Sequence, residues 1–183
     1  MRARGGHLEV LLADGRLPGA VLTAGESLES ALGRAVDVSA LAHVEQLETR
    51  VLDPESIATA YLGLVSAEGS VDGDWQAVTD VELPFVGAAQ ARVRAKLSYT
   101  NVGFALAPKT FTISELREVY VAALGHDVSA TNLQRVLVRR GVLERVDGRR
   151  APGRAGGRPA ALFRFASDRL EVTDEFAALR PPR

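Results

Sequence analysis

Nine arginines and only two carboxylates, Glu144 and Asp147, fall between residues 130 and 165, while the whole 183-residue chain carries a formal charge of −1. The excess of positive charge in that segment is matched by an acidic body before it. Such a chain meets a polyanion through one place. Seven of the arginines come in two settings. In TNLQRVLVRR, Thr131, Asn132, Gln134 and Arg135 open a polar face that ends in Arg139 and Arg140. Asparagine and glutamine pair with adenine and arginine with guanine, so the first four suit base or phosphate contact. Arg139 and Arg140 suit phosphates, which position a protein without reading sequence. The second setting is GRRAPGRAGGRPA, where Arg149, Arg150, Arg154 and Arg158 alternate with glycines. Glycine lets backbone come close to a sugar-phosphate chain or a minor groove. The alternatives are a solvated helix face and a solvated arginine-rich loop.

The flanking sequence predicts how these side chains are held. Thr112-Ile-Ser-Glu115 has the spacing of a capping box, with Phe111 and Leu116 placed as a hydrophobic staple. Ile113, Leu116, Val119, Tyr120, Ala123 and Leu124 make one apolar helix face, and Gly125 supplies a left-handed stop. Ser129 caps a second helix, buried through Leu133, Val136 and Leu137 and ended by Gly141. Strands at 142–146 and 161–165 flank the arginine-glycine loop. Two helices joined by a short turn, followed by a two-stranded wing, make a winged helix-turn-helix, whose second helix enters the major groove of double-stranded DNA.

The preceding body reads as strands and helices of a mixed α+β domain. His7 to Leu12 is a strand and Ala20 to Ala24 a second, short one. Gly25-Glu26 opens a helix to Val36, with Leu28, Ala31, Leu32, Ala35 and Val36 at helical spacing. Residues 44–52 and 57–65 read as paired strands around the turn DPES. Alternation puts Gln46, Glu48 and Arg50 on one face, either a ligand-facing polar surface or a solvated one. Trp75 to Val78 is a strand, Gly87 to Leu97 a helix, and Asp168 to Leu179 a terminal helix. Pro108 marks a boundary: residues 1–107 form the first domain, 108–168 the winged helix and 169–183 a tail.

There is no cysteine, and His7, His43 and His126 lie far apart, so neither a disulfide framework nor a histidine metal site is expected. No apolar run reaches the roughly 18 residues of a membrane span, and MRARGGHLEV lacks an apolar signal core. A cytoplasmic protein is expected.

Four stretches carry a resemblance to a known family: LPGAVLTAGESLESALGRAV; VEQLETRV with IATAYLGLV; LPFVGAAQARVRAKLSYTNVGFALAPKTFTISELREVY; and NLQRVLVRRGVLERV with GRPAALFRF. Over residues 8–166 the chain resembles the Nudix-related transcriptional regulators, a Nudix-like α/β/α domain with a mixed sheet followed by a winged helix. The resemblance implies a homodimeric repressor of NAD synthesis or salvage genes. ADP-ribose or a related nucleotide would be its effector, with no cofactor required. The effector would sit around Glu26, Arg34, Gln46, Glu48 and Arg50.

Against the family's hydrolase pattern, Glu26 and Arg34 match, Ala20 replaces the glycine, and Ala35, Val38 and Ser39 replace the helix acids. Those acids would hold Mg²⁺ ions for pyrophosphate cleavage, so the expectation is a regulator that is not an enzyme. The segment before LPG is also shorter than the family's first strands. The alternatives are a hydrolase acting on ADP-ribose and a DNA-binding protein whose first domain only dimerises.

Overall fold

Residues 1–150 and 159–174 are described by the computed structural model. A hairpin opens the chain: β1 (Arg2–Arg4) and β2 (His7–Leu12) join through Gly5-Gly6, both at positive φ. Strand β5 (Asp74–Ala77) pairs antiparallel with the other edge of β2. A separate two-stranded ribbon follows, β3 (His43–Asp53) with β4 (Ser56–Leu64). The wing pairs β6 (Leu143–Arg150) with β7 (Ala160–Phe165). Every pairing among the described strands is antiparallel, in three small sheets. The single mixed sheet expected from the sequence is absent from them: the long connection from β2 to β5, which carries α1 and the β3–β4 ribbon, returns the chain antiparallel.

The first helix, α1, spans Leu28–Ala35 rather than starting at Gly25-Glu26. Ser27 caps it, accepting from the Ser30 amide at 3.1 Å. Of its expected apolar face only Ala31 is buried. Residues 20–24 form no strand, since no neighbouring strand takes their backbone hydrogen bonds. Helix α2 (Val86–Tyr99) begins one residue before its expected start and runs two beyond its expected end. Residues 168–174 are not helical either. They run back along the end of α2, where Thr100 bridges Val172. The remainder of the expected terminal helix lies outside the described residues.

The wing domain follows its local signals closely. Helix α3 (Ile113–Leu124) starts with the capping box: the Thr112 hydroxyl accepts from the Glu115 amide, and the Thr112 amide donates to the Glu115 carboxylate at 2.7 Å. Gly125 ends it at φ 73°. Helix α4 (Ala130–Arg139) is capped by Ser129. At its far end the Gly141 amide donates to Val138 and the Val142 amide to Leu137, the paired bonds of a Schellman turn.

One hydrophobic core runs through the expected boundary at Pro108. Leu62, Leu64, Val93 and Leu97 share it with Leu106, Phe111, Leu116, Tyr120, Leu137 and Phe163. A charged cluster reinforces the junction of β3 and α2. The Glu45 carboxylate meets Lys96 at 2.8 Å, Arg92 at 3.2 Å and His43 at 3.4 Å. Burial works against the charged form of Glu45, yet the Lys96 and Arg92 cations hold its carboxyl below the usual range.

Candidate nucleic-acid interface and nucleotide cleft

Leu133 and Leu137 bury α4, one turn apart, and turn the opposite face outward. Thr131, Asn132, Gln134, Arg135, Val138 and Arg139 are all exposed on it. The structure therefore brings five of the expected recognition residues together on one surface. It also links two of them: Arg135 Nη2 donates to Asn132 Oδ1 at 2.7 Å. Residues three apart on a helix are neighbours, so this bond holds the guanidinium over the first turn, the turn that meets base edges in such modules.

Arg140 departs from the expectation. Its side chain is only 12% exposed and turns away from the α4 outer face. Nη2 donates to the Ser98 carbonyl at 2.5 Å and lies 3.2 Å from Asp174 Oδ2. A guanidinium already neutralised inside the fold is not a phosphate ligand. The cause is a tertiary contact: Ser98 lies in the last turn of α2, whose carbonyls lack helical partners and attract a cation.

In the wing, Arg149 is exposed on β6 opposite Ala161. Strand β6 runs further than expected, and an irregular pairing at Asp147-Gly148, with Gly148 at φ 108°, precedes Arg149. Arg150 folds back: it pairs with the Glu115 carboxylate and donates to the Thr110 carbonyl at 3.4 Å. It therefore fastens the wing to the start of α3, although its side chain stays 45% exposed. Arg154 and Arg158 lie outside the described residues. The exposed Arg145 adds a cation that the motif reading passed over, because it precedes the glycine-rich loop.

The second candidate site is in the body. Glu26 and Arg34 come together as expected. Arg34 Nε reaches Glu26 Oε1 at 2.9 Å and Nη2 reaches Oε2 at 2.8 Å. The Thr23 amide and hydroxyl and the Ser30 hydroxyl also donate to that carboxylate. Arg34 closes the loop by donating to the Val21 carbonyl at 2.8 Å. The Arg34 bond first, then those from Thr23, hold the Glu26 pKa down from 4.5 to about 2. A depressed carboxylate contributes order that is complete above its unfolded pKa and is lost as pH falls through the folded one. The Thr23 amide resonance is thus expected to titrate near pH 2; a midpoint at 4.5 would show that the Glu26–Arg34 pair does not form.

The expected grouping of Gln46 with Glu48 and Arg50 is corrected by the ribbon. Gln46 pairs with Tyr61 but Glu48 pairs with Ala60, so Leu47 is an extra residue in β3. A one-residue bulge flips every later side chain to the other face. Glu48 and Arg50 therefore share the Glu45 face, and Gln46 lies opposite. Arg50 pairs with Glu48 at 2.7 Å and sits 5.5 Å from the Phe85 ring centre.

A cleft of about 1060 Å³ opens between the 16–22 loop, α1 and the β3–β4 ribbon. Leu17, Leu28, Leu32, Ile57, Tyr61 and Trp75 are among its walls, and Arg16 and Glu55 bring charge to it. None of Glu26, Arg34, Gln46, Glu48 and Arg50 lines it directly. Sequence reading missed these walls because they come from segments far apart in the chain and carry no shared motif. At the hydrolase-pattern positions the sole carboxylate is Glu26, already engaged by Arg34, Thr23 and Ser30. Among the described residues no group of three or more histidines and carboxylates is placed to hold a metal ion. The donor set does not fit a two-metal centre. No helix among the described residues is long and apolar enough to cross a membrane.

Residues 103–165 match the NrtR DNA-binding winged helix domain family. An Acinetobacter baylyi protein, ADPR responsive transcriptional repressor NtrR, is 38% identical over 78 residues, 43% of this chain. The match spans only 30% of that relative's length. The fold is similar to Shewanella oneidensis NrtR complexed with a 27mer DNA, with a TM-score of 0.63 and 26% identity. That likeness covers 81% of this chain and 78% of the other. A second crystal structure, of Shewanella oneidensis NrtR, gives a TM-score of 0.62 over the same shares. The likeness extends well beyond the winged helix, as a Nudix-like body ahead of it requires.

Proposed function

We propose, from the premise that residues 103–165 belong to the NrtR DNA-binding winged helix family, that this chain is a transcriptional repressor whose hold on DNA is tuned by ADP-ribose or a related nucleotide. The observation that carries the reading is the exposed face of α4, with Thr131, Asn132, Gln134, Arg135 and Arg139 on one side of a capped, buried helix. Arg149 and the loop arginines Arg154 and Arg158 supply phosphate contacts from the wing. The likeness to the ADPR-responsive relative supports the effector. Genes of NAD synthesis or salvage are the targets that the family resemblance suggests, and the protein works in the cytoplasm.

We place the effector in the cleft between α1 and the β3–β4 ribbon, where Tyr61 offers a stacking surface and Arg16 a cation for phosphate. Glu26 and Arg34 act indirectly there: they fix Val21, and through it the loop that walls the cleft. Glu48 and Arg50 back Phe85, another wall residue. Gln46 flanks Tyr61 from the same face of the ribbon. An effector shifts DNA affinity only by binding the competent and incompetent states unequally. The single carboxylate of the degenerate hydrolase pattern supports a regulator over an enzyme.

A gel shift with the duplex upstream of the protein's own gene tests the reading. The expected result is a retarded band whose intensity changes with ADP-ribose. Absence of any band would remove the DNA-binding function. A band indifferent to ADP-ribose, with no heat in a titration, would leave a ligand-independent scaffold. Mg²⁺-dependent release of AMP from ADP-ribose would reinstate the hydrolase.

The homodimer is supported by exposed apolar side chains at the ribbon end and the 21–22 loop. Val21 is 84% exposed, Ile57 73% and Val51 70%. Apolar surface of this kind marks an association site. Ile57→Asp is expected to convert a dimer to a monomer by sedimentation velocity, and a dimer that survives it would move the contact elsewhere.

A further inference from the structure

The chain after the wing forms a strap. Asn101, almost fully buried, holds it with both ends of its amide: Nδ2 donates to the Arg169 carbonyl and Oδ1 accepts from the Glu171 amide, each at 2.8 Å. The Thr173 and Asp174 amides then cap the Tyr99 carbonyl at 2.8 and 3.1 Å. This run delivers the Asp174 carboxylate to Arg140, the residue that ends α4. Arg140 itself takes the neighbouring orphan carbonyl, Ser98. Two of the last carbonyls of α2 are thus satisfied by the recognition helix and by the strap. Both charged partners are nearly covered, at 12% and 14% exposure. Helix α2 is in turn tied to the body, through Arg92 and Lys96 on Glu45.

We propose that Arg140 is a positioning residue for DNA recognition: its clasp on Ser98 and Asp174 fixes the pitch of α4 against α2, and so decides which base pairs the α4 face can reach. The inference rests on the DNA-binding reading above. The clasp sits at the C-terminal end of α4, while Asn132 and Arg135 lie in the first turns. A small rotation about that end swings the reading residues sideways along the groove. Phosphate contacts, made by flexible arginines elsewhere, tolerate such a swing, whereas bidentate base contacts do not.

The test uses the full chain. Wild type, Arg140→Gln, Arg140→Lys and Asp174→Asn are each used to select from a duplex library with a randomised core. Each is then titrated with the wild-type winner and with a scrambled duplex across salt concentrations. Positioning predicts that Arg140→Lys and Asp174→Asn lose about tenfold or more on the winner. Their affinity for the scrambled duplex and its salt slope stay unchanged, and the selected sequence blurs. Asp174→Asn is decisive because it removes no positive charge. A phosphate role predicts the opposite. Arg140→Gln would then weaken both duplexes alike and reduce the salt slope by about one, while Asp174→Asn would tighten both. An unchanged selected sequence in Asp174→Asn also overturns the proposal. If Arg140→Gln fails to fold by circular dichroism, the Lys and Asn variants still decide. A wild type that binds no duplex removes the DNA-binding reading, and this inference with it.

Discussion

Phe111→Ala is expected to cost about 3–5 kcal/mol, the range for emptying a buried aromatic site. The side chain is completely buried. Its backbone exchanges two hydrogen bonds with Phe163, at 2.8 and 2.9 Å, and its ring meets Phe165 at 5.4 Å between centres. It thus joins the entry to α3 with the second wing strand. The same core holds Leu62, Val93 and Leu106, so the loss extends beyond the wing. At roughly 2–4 °C per kcal/mol for a chain of this size, the melting temperature falls by about 10 °C. Wild type and variant alike are expected to melt in one calorimetric transition, because the core has no break at Pro108. Two transitions in the wild type, with only the upper or lower one moved by Phe111→Ala, would show that the two halves fold independently.

That continuity explains which features could be read ahead of the structure. The ends of α3 and α4 were legible because caps are local: Thr112 and Glu115, Ser129, Gly125 and Gly141 each act within four residues. The outward face of α4 was legible for the same reason, since Leu133 and Leu137 fix the rotation of the helix. Arg140 was not, because its partners Ser98 and Asp174 are 42 and 34 residues away. Arg150 was missed through the same kind of contact, its partner Glu115 lying 35 residues back. In β3 a strict alternation was a reasonable reading until Leu47, where one extra residue reverses the faces. Periodicity cannot reveal a bulge when polar residues stand on both sides of it. The 20–24 segment has strand-like composition, but a strand needs a neighbour to take its hydrogen bonds. Its place is fixed instead by Arg34 reaching the Val21 carbonyl. In each case the chemistry of the residue was readable and its direction was set by a distant partner.

Arg135→Ala is expected to weaken binding to the specific duplex by about 1–3 kcal/mol, roughly 5- to 150-fold, with a much smaller loss on random duplex. The bond to Asn132 sharpens this expectation. One lone pair of Asn132 Oδ1 is engaged by the arginine, which favours a buttressing role for Asn132 over a bidentate contact to adenine. It buttresses an exposed guanidinium whose other N–H groups suit guanine O6 and N7. Asn132→Ala is then expected to reproduce part of the Arg135→Ala loss, and the double variant to lose less than the sum of the two. Arg149→Ala provides the contrast: an exposed wing cation without base geometry weakens both duplexes alike and lowers the salt slope by about one. Anisotropy titrations on the two duplexes separate these cases. Equal losses on both for Arg135→Ala would make it a phosphate contact. Strict additivity with Asn132→Ala would mean that the 2.7 Å bond has no part in recognition. A coupled pair would instead make the first turn of α4 a single reading unit, set in place before DNA arrives.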